Sequence, residues 1–585
     1  MTRPGRTVLS TAGLAASILV FAWPQLSLWF RGAPAAYPLV TVLFTLFIIA
    51  IVVTWPRVVR AGSTHASVDR GSAPGSASLT LAVPIVAVVA LTIVAVAAYR
   101  WIRVLAWQPY GADMLIVIRE ATRRFLNGRT PYTTYRTYDA PWNIAMPYGP
   151  GLWGPFLVPQ LLRLDFRFLT IAGELFVPVW CGAAAMVETA RGRIGGAAVW
   201  LALLTALVLA FDVQGFTLIG HTPVYWPLLP LLAAAIWQSR WAQAACLLGV
   251  LVLARTTMVA VIPVFLMAAW TADRRRFPVV LTVLALTIAA VIVPFIVWDY
   301  RGIWDNMVLS YPRVMKESVW PVLARSGIET IGLTEWLLER HYDALVVPAQ
   351  GLAMMGVYAA SWFAIRRGAA PLPWMALALF AFSMTGLYPV HYLYYDVLLL
   401  IVSGAIVETL AAGPVRMAAT PWLVSLLVSI AAIAGASWAV LAPDPRVDAG
   451  DQSPAALFRA GFAMSESDGQ RRFSWMVGHD ATIVLPRRSA DAAVIVLTVQ
   501  SPFGAAGDSQ HVTAILNGTV LAQTTIPAGW QEIRLTAPRS AWWVGFNQLH
   551  LVCSSTVSPR DVGAGDDPRQ LALAVSRVEV VPHKE

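Results

Sequence analysis

Charge is scarce in this chain. Only 13% of its 585 residues are Asp, Glu, Lys or Arg, while 58% are hydrophobic and the mean hydropathy is +0.64. Soluble domains carry about twice that share of charge, so a soluble globular protein is excluded. Cysteine is scarcer still. Of three, Cys181 and Cys246 lie in apolar runs and Cys553 stands alone in the tail, so no disulfide framework holds the fold. There is no HExxH, no CxxC and no Gly-rich loop ending in Lys-Ser/Thr. Neither a zinc site nor a nucleotide-phosphate loop is indicated, and no metal or cofactor is expected.

What the chain does have is long apolar runs. A membrane span needs roughly 20 predominantly apolar residues. Runs recur at 8–30, 37–56, 79–99, 147–163, 168–187, 196–211, 222–238, 242–270, 278–298, 344–364, 372–388, 392–410 and 420–441, about thirteen in all. The expectation is a polytopic α-helical membrane protein. The first run follows Arg3 and Arg6, lacks a small-residue cleavage pattern and leads straight into a second, so it reads as a retained anchor.

The net charge of +10 is unevenly spread. Residues 442–585 hold 12 Lys/Arg against 14 Asp/Glu, leaving 30 against 18 on residues 1–441. Loops beside anionic headgroups carry such an excess, so membrane lipids account for it and nucleic acid is not an expected partner. Arg57, Arg60, Arg274–Arg276, Arg366, Arg367 and Arg416 mark cytoplasmic loops. The chain then divides into two N-terminal spans (1–60), a Gly/Ser/Ala-rich cytoplasmic linker (61–78), a membrane domain (79–441) with outer loops at 100–146 and 299–343, and a tail (442–585) delivered outside. Run 147–163 leaves two topologies open. A full crossing puts Arg191 and Arg193 outside, and a re-entrant path puts them inside.

The tail changes character. HVTAILNGTVLAQTTI alternates about Asn517-Gly518, a strong hairpin signal. TIVLP, AVIVLTV, QEIRLTA, NQLHLVC and LALAVSRVEVV continue the pattern, which predicts an extracytoplasmic β-sandwich, and the tail resembles carbohydrate-binding jelly rolls (jelly-roll-like). Trp530, Trp542 and Trp543 look exposed and could stack on sugar rings, making the tail a carbohydrate-binding module. Sandwich core or membrane anchoring are the alternatives.

Chemistry concentrates between Gly111 and Pro155. Leu115, Ile118, Thr122 and Phe125 recur at helical spacing with Arg119, Arg123 and Asn127 on the other faces, which predicts an amphipathic helix lying in the interface. Asp113 opens it, either as an N-cap or as a general base at the membrane surface. Arg100, Arg103, Arg119, Arg123, Arg124 and Arg129 suit phosphate, whether of a substrate or of headgroups. Inside the apolar runs, Glu174, Asp212, His221, Arg255, His391 and Asp396 are costly and tend to be functional or paired, while His221 and His391, each near a run's end, fit solvated interface residues at least as well. Arg255 splits LLGVLVLARTTMVAVIP and invites a phosphate or an acid from another helix.

The order of these features resembles the GT-C superfamily of polyprenyl-phosphate-sugar-dependent glycosyltransferases, and most closely the family 87 α-mannosyltransferases. The matching segments are Ala112-Asp113, NGRTPY at 127–132 and PYGP at 147–150. GHTP at 220–223, Arg255 and VHYLYY at 390–395 follow in corresponding order. Val117 or Ile118 stands where the family has a Tyr, His221 and Pro223 replace its Gln and Asn, and Arg255 replaces its Lys. The resemblance covers roughly residues 79–441. It implies a multi-pass enzyme of the bacterial inner (cytoplasmic) membrane. Such an enzyme moves a sugar, mannose in the family, from a polyprenyl-phosphate donor to a glycan or glycolipid acceptor on the outer face, inverting and metal-independent. Asp113 would be the base, Arg255, Arg119 and Arg123 would hold the donor phosphate, and His391, His221, Tyr132, Tyr148 and Tyr395 would line the pocket. The rival class is a transporter or flippase for a lipid-linked glycan. That class predicts internal repeats with matched broken helices, and no self-similarity between the halves is evident.

Overall fold

A computed structural model describes residues 45, 46, 48, 49, 76–105, 113–137, 140–209, 223–314, 316–317, 332–387, 393–411, 419–449, 458–502 and 509–583. The first expected span and most of the second lie outside these residues, as does nearly all of the linker.

Helices α1 (Ser76–Leu105), α2 (Asp113–Leu126), α3 (Phe166–Ala190), α4 (Ile194–Leu209), α5 (Leu228–Trp237), α6 (Trp241–Ala254), α7 (Ile262–Ala272), α8 (Phe277–Ile303), α9 (Val346–Arg366), α10 (Pro371–Met384), α11 (Leu393–Ala411) and α12 (Ala419–Val440) build the first part. Among the described residues, six helical segments are long and apolar enough to cross a membrane: Ala82–Leu105, Phe166–Ala190, Phe277–Val314, Asp343–Arg366, Leu393–Ala411 and Trp422–Val440. α3 and α11 are enclosed by other helices, whereas α1, α8, α9 and α12 turn most of their apolar surface outward. Outward apolar faces are what a bilayer solvates, and a chain with these helices is embedded in one. α3 packs on α1, α4, α11 and α12, and α6 packs on α8.

The thirteen runs do not become thirteen spans among the described residues. Run 147–163 carries four prolines and three glycines, and it folds as three short turns, Pro150–Trp153, Gly154–Phe156 and Leu157–Leu162. Arg167 at the start of α3 donates from Nη1 to the carbonyl of Leu105 at the end of α1, 3.3 Å away. The chain between α1 and α3 therefore begins and ends on one side of the bundle, and run 147–163 is not one continuous helix. Arg191 and Arg193, which pair with Glu188 at the far end of α3, lie at the opposite end of the bundle. Run 242–270 also breaks: α6 ends at Arg255 (φ −138°, ψ 105°), and a 3-10 stretch, Thr256–Val261, leads into α7.

The tail is a set of antiparallel strands: β3 (Arg446–Asp448), β4 (Phe458–Ala460), β5 (Glu466–Ser467), β6 (Arg472–Val477), β7 (Asp480–Arg487), β8 (Ala493–Ser501), β9 (Gln510–Leu516), β10 (Thr519–Ile526), β11 (Gly529–Ala537), β12 (Gly545–Cys553) and β13 (Leu571–Pro582). One sheet runs β10-β9-β12-β7-β4 and the other β11-β8-β13-β6-β5, with β3 on β13. Ile483, Leu516 and Leu551 of the first face Ile495, Leu497 and Val578 of the second in one buried core. Asn517 (φ 50°) and Gly518 (φ 83°) make the β9–β10 turn, where two consecutive positive φ values suit the Asn-Gly pair. A smaller hairpin in the membrane domain, β1 (Thr134–Thr137) with β2 (Ala140–Ala145), was not foreseen from the sequence.

The sandwich is seated on the bundle. Trp542 is not exposed but buried in its core, and Trp543 is buried against the helices, stacked on Phe166 at 5.6 Å. Trp530 alone of the three keeps partial exposure. Two of the three tryptophans are thus withdrawn from any sugar, because each fills a packing role.

Candidate active site

α2 begins at Asp113 and ends at Leu126, with Gly128 (φ 67°) in the left-handed conformation that closes helices. The amphipathic pattern predicts one face open to the interface. Instead, Met114 to Arg119 are all buried, and exposure begins only at Arg123. Hairpin strand β2 and the turns at 150–162 pack on α2, and Trp543 of the sandwich lies over the Arg119 guanidinium, 5.8 Å from ring centre to Cζ. The polar face is covered by another domain, which the periodicity of fourteen residues cannot reveal.

The arginines of α2 are engaged locally. Arg119 is 3.7 Å from Glu120, and Arg123 donates to the same carboxylate from Nε at 3.0 Å and Nη2 at 2.5 Å. The backbone of Asp113 starts the helix, while its side chain lies outside the described residues, as do His221 and His391.

The end of α2 meets an aromatic cluster. Phe125 packs edge-on to Trp153 at 5.2 Å, and Phe295 of α8 contacts Phe125, Trp153 and Tyr132. Trp153 Nε1 donates to Tyr132 Oη at 3.4 Å, and the Tyr135 hydroxyl donates to the Pro131 carbonyl at 2.5 Å. Burial pushes both phenols well above the usual tyrosine range, so they are hydroxyl donors and not bases at neutral pH. Tyr148 is half-buried against the same core.

The Pro/Gly turn joins this cluster to Arg255. A Cβ on Gly149 would meet the Leu253 carbonyl oxygen at 2.2 Å, and one on Gly151 would meet the Ala254 nitrogen at 2.7 Å. Only glycine lets the turn lie this close to the last residues of α6, immediately before Arg255. Arg255 Nε is 3.4 Å from Asp396 Oδ2 on α11. Asp396 also accepts from the Tyr225 hydroxyl at 2.8 and 2.9 Å and from Trp226 Nε1 at 3.1 Å. This carboxylate is 2% exposed, and three donors from two other segments hold it in the bundle interior. Tyr395, its neighbour, is buried too.

α2, the hairpin, the glycine turn and Arg255 with its acid thus form one contiguous region at the end of the bundle that carries the sandwich. Of the three arginines expected to hold phosphate, Arg255 is in its interior, while Arg119 faces the sandwich and Arg123 the surface. Tyr225 and Trp226 were not among the expected site residues. Their only sequence signal is position, directly after GHTP in an apolar run. The chain matches no protein-family model and no curated protein.

Proposed function

We propose that the protein is a membrane glycosyltransferase that moves a sugar from a polyprenyl-phosphate carrier to a glycan or lipid acceptor on the outer face, with inversion. The observation that carries this reading is the gathering, at the sandwich-bearing end of the bundle, of the helix opened by Asp113, the 147–153 turn and the buried Arg255–Asp396 pair. In this mechanism Asp113 accepts the proton of the acceptor hydroxyl as its oxygen attacks the anomeric carbon. The bond from that carbon to the phosphate oxygen breaks, and the lipid phosphate leaves with the negative charge. Arg255 is the cation that meets it. Asp396, anchored by Tyr225 and Trp226, fixes the guanidinium in place. Positive loops at 274–276 and 366–367 support the assignment of the sandwich to the outer side.

The test is transfer from labelled polyprenyl-phosphate sugars by the purified protein, read as released lipid phosphate. Asp113→Asn is nearly isosteric and removes the base, so it should lower turnover by about 10²–10⁴ without loss of folded protein. Undiminished turnover refutes the role. Movement of intact carrier across vesicles without cleavage would identify a transporter instead.

A further inference from the structure

We infer that the C-terminal sandwich is a positioning part of the active site, with Trp543 and Phe546 setting where the helix opened by Asp113 lies. The inference rests on the reading above. It starts from the segment that leads out of β11 into the first two residues of β12, residues 538–546, which grips the membrane domain on both sides of Asp113.

On the downstream side, Trp543 covers Arg119, six residues into α2, and stacks on Phe166, which in turn packs on Phe156 at 5.3 Å. Arg119 is 4% exposed, and a guanidinium over an indole interacts more strongly where water is excluded. On the upstream side, Phe546 N–H donates to Asp165 Oδ2 at 3.3 Å, and the Phe546 ring lies 5.7 Å from the Arg167 guanidinium. Arg167, held bidentate by Asp165, donates to Leu105, the last residue of α1 before the segment that leads to Asp113.

The backbone reinforces this grip. Asp165 N–H donates to the Val544 carbonyl at 3.0 Å, Val544 N–H donates to the Arg163 carbonyl at 2.7 Å, and Arg163 Nη1 donates to the Arg539 carbonyl. Gly545 (φ 140°) makes the approach possible, since a Cβ there would sit 2.4 Å from Asp165 Cβ. Domains joined only by a linker move relative to one another by default. Here a buried ion pair, a strand-like ladder and a stacked indole hold two fixed points on either side of the proposed base. Misplacing a reacting group by about 1 Å costs about 10²-fold in rate, so this seating is a lever on turnover.

The experiment compares Trp543→Ala and Trp543→Phe in the full-length protein, by sugar-transfer kinetics and by amide hydrogen exchange. Trp543→Ala should lower kcat at least about tenfold while changing donor KM less than about threefold, a split expected of misplacement. Amides of residues 114–126 should exchange at least about tenfold faster, with β8 and β13 unchanged. Trp543→Phe, which keeps a ring over Arg119, should restore most of both. Arg119→Met removes the charge from the other side of the contact and should give the same pattern, which keeps the test intact if Trp543→Ala fails to fold. Wild-type kcat and wild-type protection of 114–126 in these variants would overturn the inference while an inactive Asp113→Asn left the glycosyltransferase reading standing. Conversely, an active Asp113→Asn would remove that reading, and the exchange data alone would still decide whether the sandwich holds α2.

Discussion

Replacing Asp165 by alanine is the most direct way to ask what seats the sandwich. The Asp165 and Arg167 side chains are 0% and 1% exposed and meet at 2.6 Å. Asp165 caps α3 by accepting from Arg167 N–H, takes a second guanidinium bond at Nε, and accepts from Phe546 across the interface. Losing the cap alone costs about 1 kcal/mol. Leaving the buried guanidinium without its carboxylate costs about 3–5 kcal/mol, and that term decides the outcome. Local opening at the interface should become more frequent by roughly two to three and a half orders of magnitude. A two-domain membrane protein does not unfold in one step, so a melting temperature is the wrong measure. Hydrogen exchange at Gly545–Leu549 and at the first turn of α3 reads the interface itself, with the interior of β8 as an internal control. The double variant Asp165→Ala, Arg167→Met removes the stranded charge and should recover most of the loss, because an apolar pair is often as good as a buried ion pair. If the single variant leaves exchange at 545–549 unchanged, or the double variant is no better than the single, the pair does not hold the domain.

Arg255, Cys553 and Asn517 each give a further test. Arg255→Ala should weaken binding of a polyprenyl-phosphate sugar by roughly tenfold or more, since a bond to a charged group is worth about 1.5–3 kcal/mol, and unchanged donor affinity removes it from the site. Burial pushes the Cys553 thiol up to about 12, so it should resist iodoacetamide at pH 8 in the folded protein and react once unfolded. Because folding favours the protonated thiol, this site's stabilisation is complete below the ordinary thiol range near 9.0 and declines as pH rises toward about 12, which a pH series of sandwich stability should register. Asn517→Ala should cost about 1–3 kcal/mol, read as faster exchange along β9 and β10. It loses bonds to Ala541, Asn547 and Gln548 and keeps a positive φ that alanine resists, so Asn517→Gly should cost less, and equal effects would contradict the turn argument.

Features whose cause is local were legible in the sequence. The Asn517-Gly518 hairpin needs two left-handed residues and has them, and α2 has its acid at the start and Gly128 just past its end. Hydropathy misled where continuity mattered. It scores the composition of 147–163 and not the prolines that interrupt it, so the sequence left a full crossing and a re-entrant path both open. Features set by distant partners were not legible. Arg255 advertised a need for an anion, but Asp396 sits on a helix far along the chain, and only folding brings Tyr225 and Trp226 to it. Trp543 looked like surface for the same reason, since what covers it belongs to the other domain.

The break at Arg255 has a consequence for depth. α6 has fourteen residues and so rises about 21 Å, well short of the roughly 30 Å of hydrocarbon. If α6 starts level with one face of the bilayer, a helix of this length ends short of the other, with Arg255 below the opposite headgroups. On the proposed function, a carrier lipid would then have to lower its phosphate beneath its neighbours in the leaflet to reach this arginine.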